Sequence, residues 1–504
     1  MAAIAYTVAF EGVEARLVEV QCSLAPGLRG FAIVGLPDKS VSEARERVRA
    51  AFAALAIALP ARRITINMSP ADLPKEGSHF DLPIALAVLG ALDIVPVEAL
   101  EGVVSLGELA LDGRLSPVAG ALPAALAAAT EDRALIVPKA CGPEAAWVGA
   151  IAVFAPRSLS EAVDHLTDRA PLSPAAPGEA PCPPHTEDLR EVKGQERARR
   201  AIEVAAAGRH HLLMVGPPGA TKTMLARRIP GILPPLSAEE ALEISVVHSI
   251  AGGLKNGGIS RRPPFCQPHH TASSAAIVGG GRQAGPGQIS LAHHGVLFLD
   301  ELPEFDRRVI DALREPIETG EIHVARANAH IRYPARFLLV AAANPCRCGY
   351  LADAERACPR APGCGADYMA RVSGPMMDRF DLRLELAQVS IDEMSLPATG
   401  ENSAAVAARV AAARAVQARR FRDHPAIRVN AEAHGALLEE IAPLDSEGRA
   451  LLTMAAARIG LTPRGYHRVL RTARSIADLD ASPEIRRPHL AEALSYRLAP
   501  ARAV

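Results

Sequence analysis

The run LLMVGPPGATKTMLARRI, residues 212–229, decides the reading of this chain. Leu212 to Val215 are four apolar residues in a row, which predict a buried strand. GPPGATKT, Gly216 to Thr223, is a turn rich in glycine and proline, and MLARRI after it reads as a helix. Strand, glycine-rich turn and helix in that order are the context of a phosphate-binding loop. Its backbone N–H groups surround the phosphates, its Lys reaches the β and γ phosphates, and the next hydroxyl ligates Mg²⁺. Gly216, Pro217, Pro218, Gly219, Ala220, Thr221, Lys222 and Thr223 are therefore the expected ATP contacts, with Lys222 on the phosphates and Thr223 on Mg²⁺. One position departs from the pattern GxxxxGK[ST]: Thr221 stands where the second glycine belongs. A β-branched side chain there is expected to add bulk and strain beside the phosphates.

A glycine-rich turn alone is a weak signal, so the test is an acidic pair at the end of a second strand. GVLFLDEL supplies it, with Val296 to Leu299 ending in Asp300 and Glu301. Asp300 is expected to hold Mg²⁺, and Glu301 to polarise the attacking water as a general base. A third apolar run, RFLLVAAAN, ends at Asn344, placed to orient that water; a turn or cap asparagine is the structural alternative. Further on, Arg379 in SGPMMDRFDLRLEL precedes another strand and is a candidate arginine finger for a neighbouring subunit's γ-phosphate. Arg464, in the first turn of the helix TPRGYHRVLRTARSIADL, is a candidate for the same phosphate. Either arginine alone reads more readily as a surface ion pair than as a catalytic group; the order of all five elements turns the balance to the catalytic reading.

The surrounding composition fits such a machine. A chain of 504 residues is too long for one core, and 49% hydrophobic against 22% charged residues is ordinary globular protein. The formal net charge of −1 hides an asymmetry. Residues 1–168 hold 13 Lys and Arg against 20 Asp and Glu, and the remainder 42 against 36, so a polyanion belongs on the later part. The opening MAAIAYTVAF has no basic region before a long apolar run, and no window suits a membrane helix, which predicts a cytoplasmic protein. APLSPAAPGEAPCPPH, residues 170–185, has no apolar period and reads as a linker. The expected division is 1–168, a linker 169–188, an α/β core 189–390 with a parallel sheet, and a helical domain 391–504. In the first part VEARLVEVQC and RRITINMS read as strands, SVSEARERVRAAFAAL as an amphipathic helix and FDLPIALAVLGAL as a buried one.

REVKGQERARRAIEVAAAGRHHLLMVGPPG, PHHTASSAAIVGGGRQAGPGQISLAHHGVLFLDELPEF, NPCRCGY, SGPMMDRFDL and YHRVLRTARSIADL together resemble the magnesium-chelatase-like AAA+ ATPases of the YifB/ComM type. The likeness covers nearly the whole chain. It implies a hexameric ring that uses ATP and Mg²⁺ to move on single-stranded or branched DNA, as a branch-migration or helicase motor in recombination or natural transformation. It also implies that Asn344 is sensor 1, Arg379 the finger and Arg464 sensor 2. Besides Thr221, Gln288 departs from the family pattern, where Glu is expected. The rival readings are a magnesium-chelatase motor subunit and a non-hydrolysing DNA-binding scaffold, for which Thr221 is the support.

INMSPADLPKEGSHFDLPIA resembles the active-site segment of Lon-type serine proteases, with His79 at the serine position and Ser78 one residue early. GELALDGRLSPVAGALPAALAA resembles the segment that supplies the catalytic lysine, yet Leu122 and Ala124 occupy the candidate places. A Ser-Lys dyad needs a lysine to accept the hydroxyl proton. The resemblance therefore implies a Lon-like α+β first domain without peptidase activity, Ser78 serving a turn.

Of eight cysteines, Cys22, Cys141, Cys182 and Cys266 are scattered, while Cys346, Cys348, Cys358 and Cys364 cluster. The cluster is either a tetrahedral zinc site tying down a loop or a set of free thiols. His269-His270 and His293-His294 flank GGGRQAGPG and are expected to fix loops rather than to bind a metal, which is the alternative for such pairs; Ile277 to Gln288 is the expected pore loop. Arg409, Arg414, Arg419, Arg420 and Arg422 form a basic run, read as a solvated face or, within a ring, a phosphate-tracking one.

Overall fold

Alternating burial along the first strands builds a mixed seven-stranded sheet from residues 3–154. Its order is Gly30–Val34, Arg63–Ser69, Glu14–Ala25, Ala3–Glu11, Val103–Ser105, Ala134–Ile136 and Val153–Phe154. The computed structural model describes residues 3–179, 187–281, 284–326, 329–351, 355–389, 395, 397 and 400–497. The two strands and two helices expected in this region form at Glu14–Ala25, Arg63–Ser69, Lys39–Ala54 and Asp81–Ala91. Asp81–Ala91 is buried on almost every side, which is why its sequence shows no polar face. Asp81 at its start is also buried, and the Arg47 guanidinium holds it with bonds of 2.6 and 2.9 Å while Leu109 N–H donates at 3.1 Å.

The α/β core has a five-stranded sheet, all parallel, ordered Phe265–Cys266, Val296–Leu299, Leu338–Ala343, Leu212–Val215, Leu382–Glu385. Strands buried on both faces read as unbroken apolar runs, the feature that made the middle three legible. Two hairpins stand off this sheet, Gly279–Gly280 with Gly285–Pro286 and Glu321–Arg326 with Ala329–Pro334. The first forms much of the expected pore loop, whose Arg282 and Gln283 lie outside the described residues. Tyr333 Oη donates to Ala284 O at 2.9 Å, joining the hairpins. The second hairpin has no counterpart in the sequence reading, because its alternation is short and its turn holds no Asn-Gly or Asp-Gly pair.

The described residues after 400 are mainly helical: Ser403–Arg420, Gly435–Ile441, Ser446–Ile459, Pro463–Leu479 and Arg487–Ser495. They share one apolar core with helix Glu196–Gly208 of the α/β region. The basic run on Ser403–Arg420 is largely committed to that junction. Arg409 pairs with Glu203 at 2.6 Å and Glu401 at 2.7 Å, Arg414 donates to Ala206 O at 2.8 Å, and Arg420 pairs with Asp478 at 2.6 Å. Arg409, Arg414 and Arg420 thus fasten the helix to the core, and Arg419 and Arg422 are the exposed part of the run.

The stretch read as a linker is partly docked. Ala175 N–H donates to Val153 O at 2.7 Å and Gly178 N–H to Pro143 O at 2.9 Å, so residues 175–178 run along the first sheet. Residues 180–186, with Cys182, lie outside the described set. The first region also rests on the core. Gly120 N–H donates to Ser249 O at 3.1 Å, Trp147 Nε1 donates to Gly257 O at 2.8 Å, and Ser249 Oγ donates to the buried Glu144 carboxylate. Burial raises the Glu144 carboxyl above its ordinary value, opposed by that hydroxyl and by Leu122 N–H. Among the described residues no helix is long and apolar enough to cross a membrane.

Candidate nucleotide-binding site

In an all-parallel sheet the carboxyl ends of the strands share one edge, where open α/β sheets bind ligands. The loop after Val215, the acidic pair after Leu299 and Asn344 after Ala343 meet at that edge. Lys222 opens helix Lys222–Arg228, and its Nζ donates to Gly216 O at 2.6 Å, Pro217 O at 3.0 Å and Asn344 Oδ1 at 3.1 Å. Thr223 Oγ1 donates to Asp300 Oδ2 at 2.8 Å. Burial holds the Lys222 ammonium below its ordinary pKa, against the pull of Asp300 and Glu301. A cation lying on backbone carbonyls is poised to exchange them for phosphate oxygens, a stronger charge-assisted pairing. The hydroxyl of Thr223 and carboxylate of Asp300 are hard oxygen donors on one point, as Mg²⁺ requires.

Thr221 takes φ 57°, ψ 16°, the left-handed conformation that glycine adopts without cost. Its Oγ1 is buried and without a hydrogen-bond partner among the described residues. Glycine's usual presence at this place has its physical reason in that φ.

Glu301 also has positive φ, 56°, and carries its carboxylate 3.4 Å from His270 Nδ1. His270 is the residue of the site that the sequence did not single out for chemistry; its partner is 31 positions away and nothing local signals it. His269 Nδ1 shares a 2.7 Å bond with Thr271, a loop-fixing contact. The other histidine pair does likewise. His293 and His294 clasp Glu243 at 3.2 and 2.6 Å, and Arg428 takes the other oxygen of Glu243 at 3.1 Å. These bonds hold the Glu243 carboxyl well below the usual range, the histidine contacts first. Gln288 begins the short helix Gln288–Leu291; nothing in the structure explains its departure from the family pattern.

The two arginines lie elsewhere. Arg379 precedes Leu382, whose N–H donates to His211 O at 3.0 Å, so it sits at the amino edge of the strands that end in the phosphate loop. It is buried and donates to Glu318 at 2.6 Å and Pro375 O at 2.8 Å. Arg464, well exposed, has Nη1 3.7 Å from the same Glu318 oxygen. The loop Gly216 to Thr223, Asp300, Glu301 and Asn344 thus gather at one edge of the sheet, and Arg379 and Arg464 gather at Glu318.

In the first region Ser78 Oγ donates to Glu108, a side-chain carboxylate rather than the turn backbone expected of it. His79 is buried with Nε2 2.9 Å from Val8 O, and burial pushes its pKa down to about 4. Leu122 is buried, and Lys75, the lysine nearest in sequence, spends its Nζ on Pro70 O. No Ser-Lys pair is formed by these residues.

Cys346, Cys348 and Cys364 place their sulfurs within 4.8 Å of one another, with Cys346 and Cys348 3.0 Å apart; Cys358 is not one of these three. Cys22, Cys141 and Cys266 are separate free thiols.

A parallel sheet with a phosphate loop, an acidic strand end and an asparagine at a third strand end defines a P-loop module of the AAA+ ATPase type. Three family models cover the chain in sequence: "Subunit ChlI of Mg-chelatase" over residues 18–141, "Magnesium chelatase, subunit ChlI" over 188–394 and "Magnesium chelatase, subunit ChlI C-terminal" over 400–497. Competence protein ComM of Haemophilus influenzae is 44% identical over 98% of this chain and 97% of its own length. The YifB protein of Escherichia coli is 44% identical over 98% and 96%. The magnesium-chelatase 38 kDa subunit of Rhodobacter capsulatus is 28% identical over 31% of this chain and 49% of that protein. The chain belongs to the magnesium-chelatase-like YifB/ComM family, which implies use of ATP and Mg²⁺.

Proposed function

We propose that this protein is an ATP-driven ring motor that remodels DNA, with branch migration during recombination or uptake of DNA as its work. One observation carries the reading: the catalytic groups are divided between opposite edges of one sheet. Strands Leu212–Val215 and Leu382–Glu385 pair over four residues, a length of about 13 Å, with the phosphate loop after one and Arg379 before the other. Arg379 and Arg464 therefore point away from their own chain's phosphates, and a complete site needs a second copy. That is the logic of a closed ring, of which a hexamer is the form we infer.

In this reading ATP lies on Gly216 to Thr223, with Lys222 neutralising its terminal phosphates. Thr223 and Asp300 would hold Mg²⁺, whose role is to neutralise charge developing between the β and γ phosphates. Glu301 takes a proton from water that Asn344 orients. Arg379, with Arg464 beside it, leaves Glu318 for the neighbour's γ-phosphate. Residues 1–168 form an inactive Lon-like domain, 189–390 the motor and 391–504 the lid; the protein works in the cytoplasm. The Haemophilus relative is a competence protein, and the 44% identity to it over nearly the whole chain favours DNA over a porphyrin substrate. The test is ATP-dependent branch migration on a synthetic four-way junction, with ATP hydrolysis measured with and without that DNA. Stimulation and strand exchange support the motor; hydrolysis indifferent to any DNA, or none at all, would sink it.

A further inference from the structure

The segment between Asn344 and helix Gly363–Met369 has no strand or helix among its described residues, yet it lies against the nucleotide loop. Irregular segments of this length in a compact domain need something to hold them. Cys346, fully buried, comes two residues after Asn344, and its Sγ is 3.0 Å from that of Cys348. Cys364, on the helix, brings a third sulfur within 4.8 Å of both, and Cys358 stands six residues before it on the same segment. Four sulfurs at about 2.3 Å from one zinc ion lie about 3.8 Å apart, so the three gathered sulfurs have the span of three corners of a tetrahedral site. Sulfurs gathered at one point, rather than joined in pairs, favour a metal over disulfides.

The same segment touches the phosphate loop. Gly349, at φ +84°, packs on the ring of Pro218 so closely that a Cβ would lie 2.8 Å from its Cγ and Cδ. Gly365 closes the other side against Leu351 and Pro345 O. We propose that Cys346, Cys348, Cys358 and Cys364 bind one zinc ion, and that the resulting knuckle positions both Asn344 and Pro218 at the nucleotide site. Its second half rests on the nucleotide-site reading. The cysteines are positioning residues: they act on ATP through the ends of the loop they close.

Reduced full-length protein should contain about one zinc per chain by elemental analysis, and cobalt in its place should give the visible spectrum of a tetrahedral thiolate site. Cys364→Ser and Cys358→Ser should each lose the metal. Metal-free wild-type protein, iron instead of zinc, or full zinc in Cys364→Ser overturns the site, whatever the protein does with ATP. Zinc content in Lys222→Ala should be unchanged, which separates failure of the metal site from failure of the ATPase reading. For the positioning role, chelation should lower turnover on the order of ten- to a hundredfold, as misplaced catalytic groups do, and weaken binding of a fluorescent ATP analogue, both restored by added zinc. Gly349→Ala should keep its zinc and still weaken the analogue. Unchanged nucleotide affinity and turnover after chelation would overturn the positioning role.

Discussion

The Nζ of Lys222 and the Oδ1 of Asn344 lie 3.1 Å apart although 122 residues separate them. The contact joins the phosphate loop to the end of the neighbouring strand, so whatever moves Lys222 is felt at Asn344. Asn344→Ala should leave ATP binding within a few-fold of the parent, because Lys222 keeps its other partners. Turnover should fall by roughly a hundredfold, the usual effect of losing one group that orients the reacting atoms. Steady-state phosphate release beside a nucleotide titration checks this. Unchanged turnover would reduce Asn344 to a strand-end cap.

Glu301→Gln removes the proposed base and leaves Asp300 and Thr223 in place. ATP binding should persist while hydrolysis drops on the order of 10²- to 10⁴-fold. A variant that no longer binds ATP would show that Glu301 serves the metal or the fold instead.

Arg379→Ala should bind ATP and show little hydrolysis, as should Glu301→Gln. Mixed in one assembly, the two should recover part of the lost activity, since some interfaces then combine an intact Arg379 with an intact Glu301. Full activity in Arg379→Ala alone, or no recovery on mixing competent assemblies, contradicts action across the interface. The substitution also frees Glu318, so its stability should be measured by thermal unfolding alongside.

Thr221→Gly relieves a β-branched residue held at φ 57°. Strain of this kind is on the order of 1 to 3 kcal/mol, which converts to roughly a ten- to hundredfold gain in ATP affinity at about 1.4 kcal/mol per decade if binding tightens the loop further. The orphaned Thr221 hydroxyl offers the opposite outcome: should it donate to a phosphate, glycine would bind ATP more weakly. A calorimetric titration of parent and variant decides between strain and a compensating bond.

Stability should fall on mild acidification. Burial lowers the imidazoles of His79, His211 and His293 to about 4 each. A histidine in the unfolded chain protonates near 6.5, so between roughly pH 6.5 and 4 the unfolded state binds more protons and stability is lost as pH falls. Each such histidine contributes up to about 1.4 kcal/mol per pH unit across that window. The urea midpoint of the intact chain, followed downward from neutral pH, should show it. His79→Gln keeps a donor for Val8 O and should flatten the slope; an identical slope would remove His79 from the account.

The phosphate loop, the acidic strand end and Asn344 were legible because each is a local pattern: an apolar run whose last residues change abruptly to glycine, carboxylate or amide. A strand buried on both faces needs such a run, and the parallel arrangement then brings the three ends to one edge without further instruction. The buried helix Asp81–Ala91 and the basic helix Ser403–Arg420 were legible as helices for the same reason. The partners of those elements were not legible. That Arg409 and Arg420 meet Glu203 and Asp478, that His270 faces Glu301, and that Arg379 and Arg464 share Glu318 depend on which surfaces pack together. Periodicity carries burial, because every turn or pleat repeats it. Charge pairing across a fold has no period, so a run of arginines looks the same whether it faces water, a phosphate or a carboxylate, and only the tertiary structure chose the last.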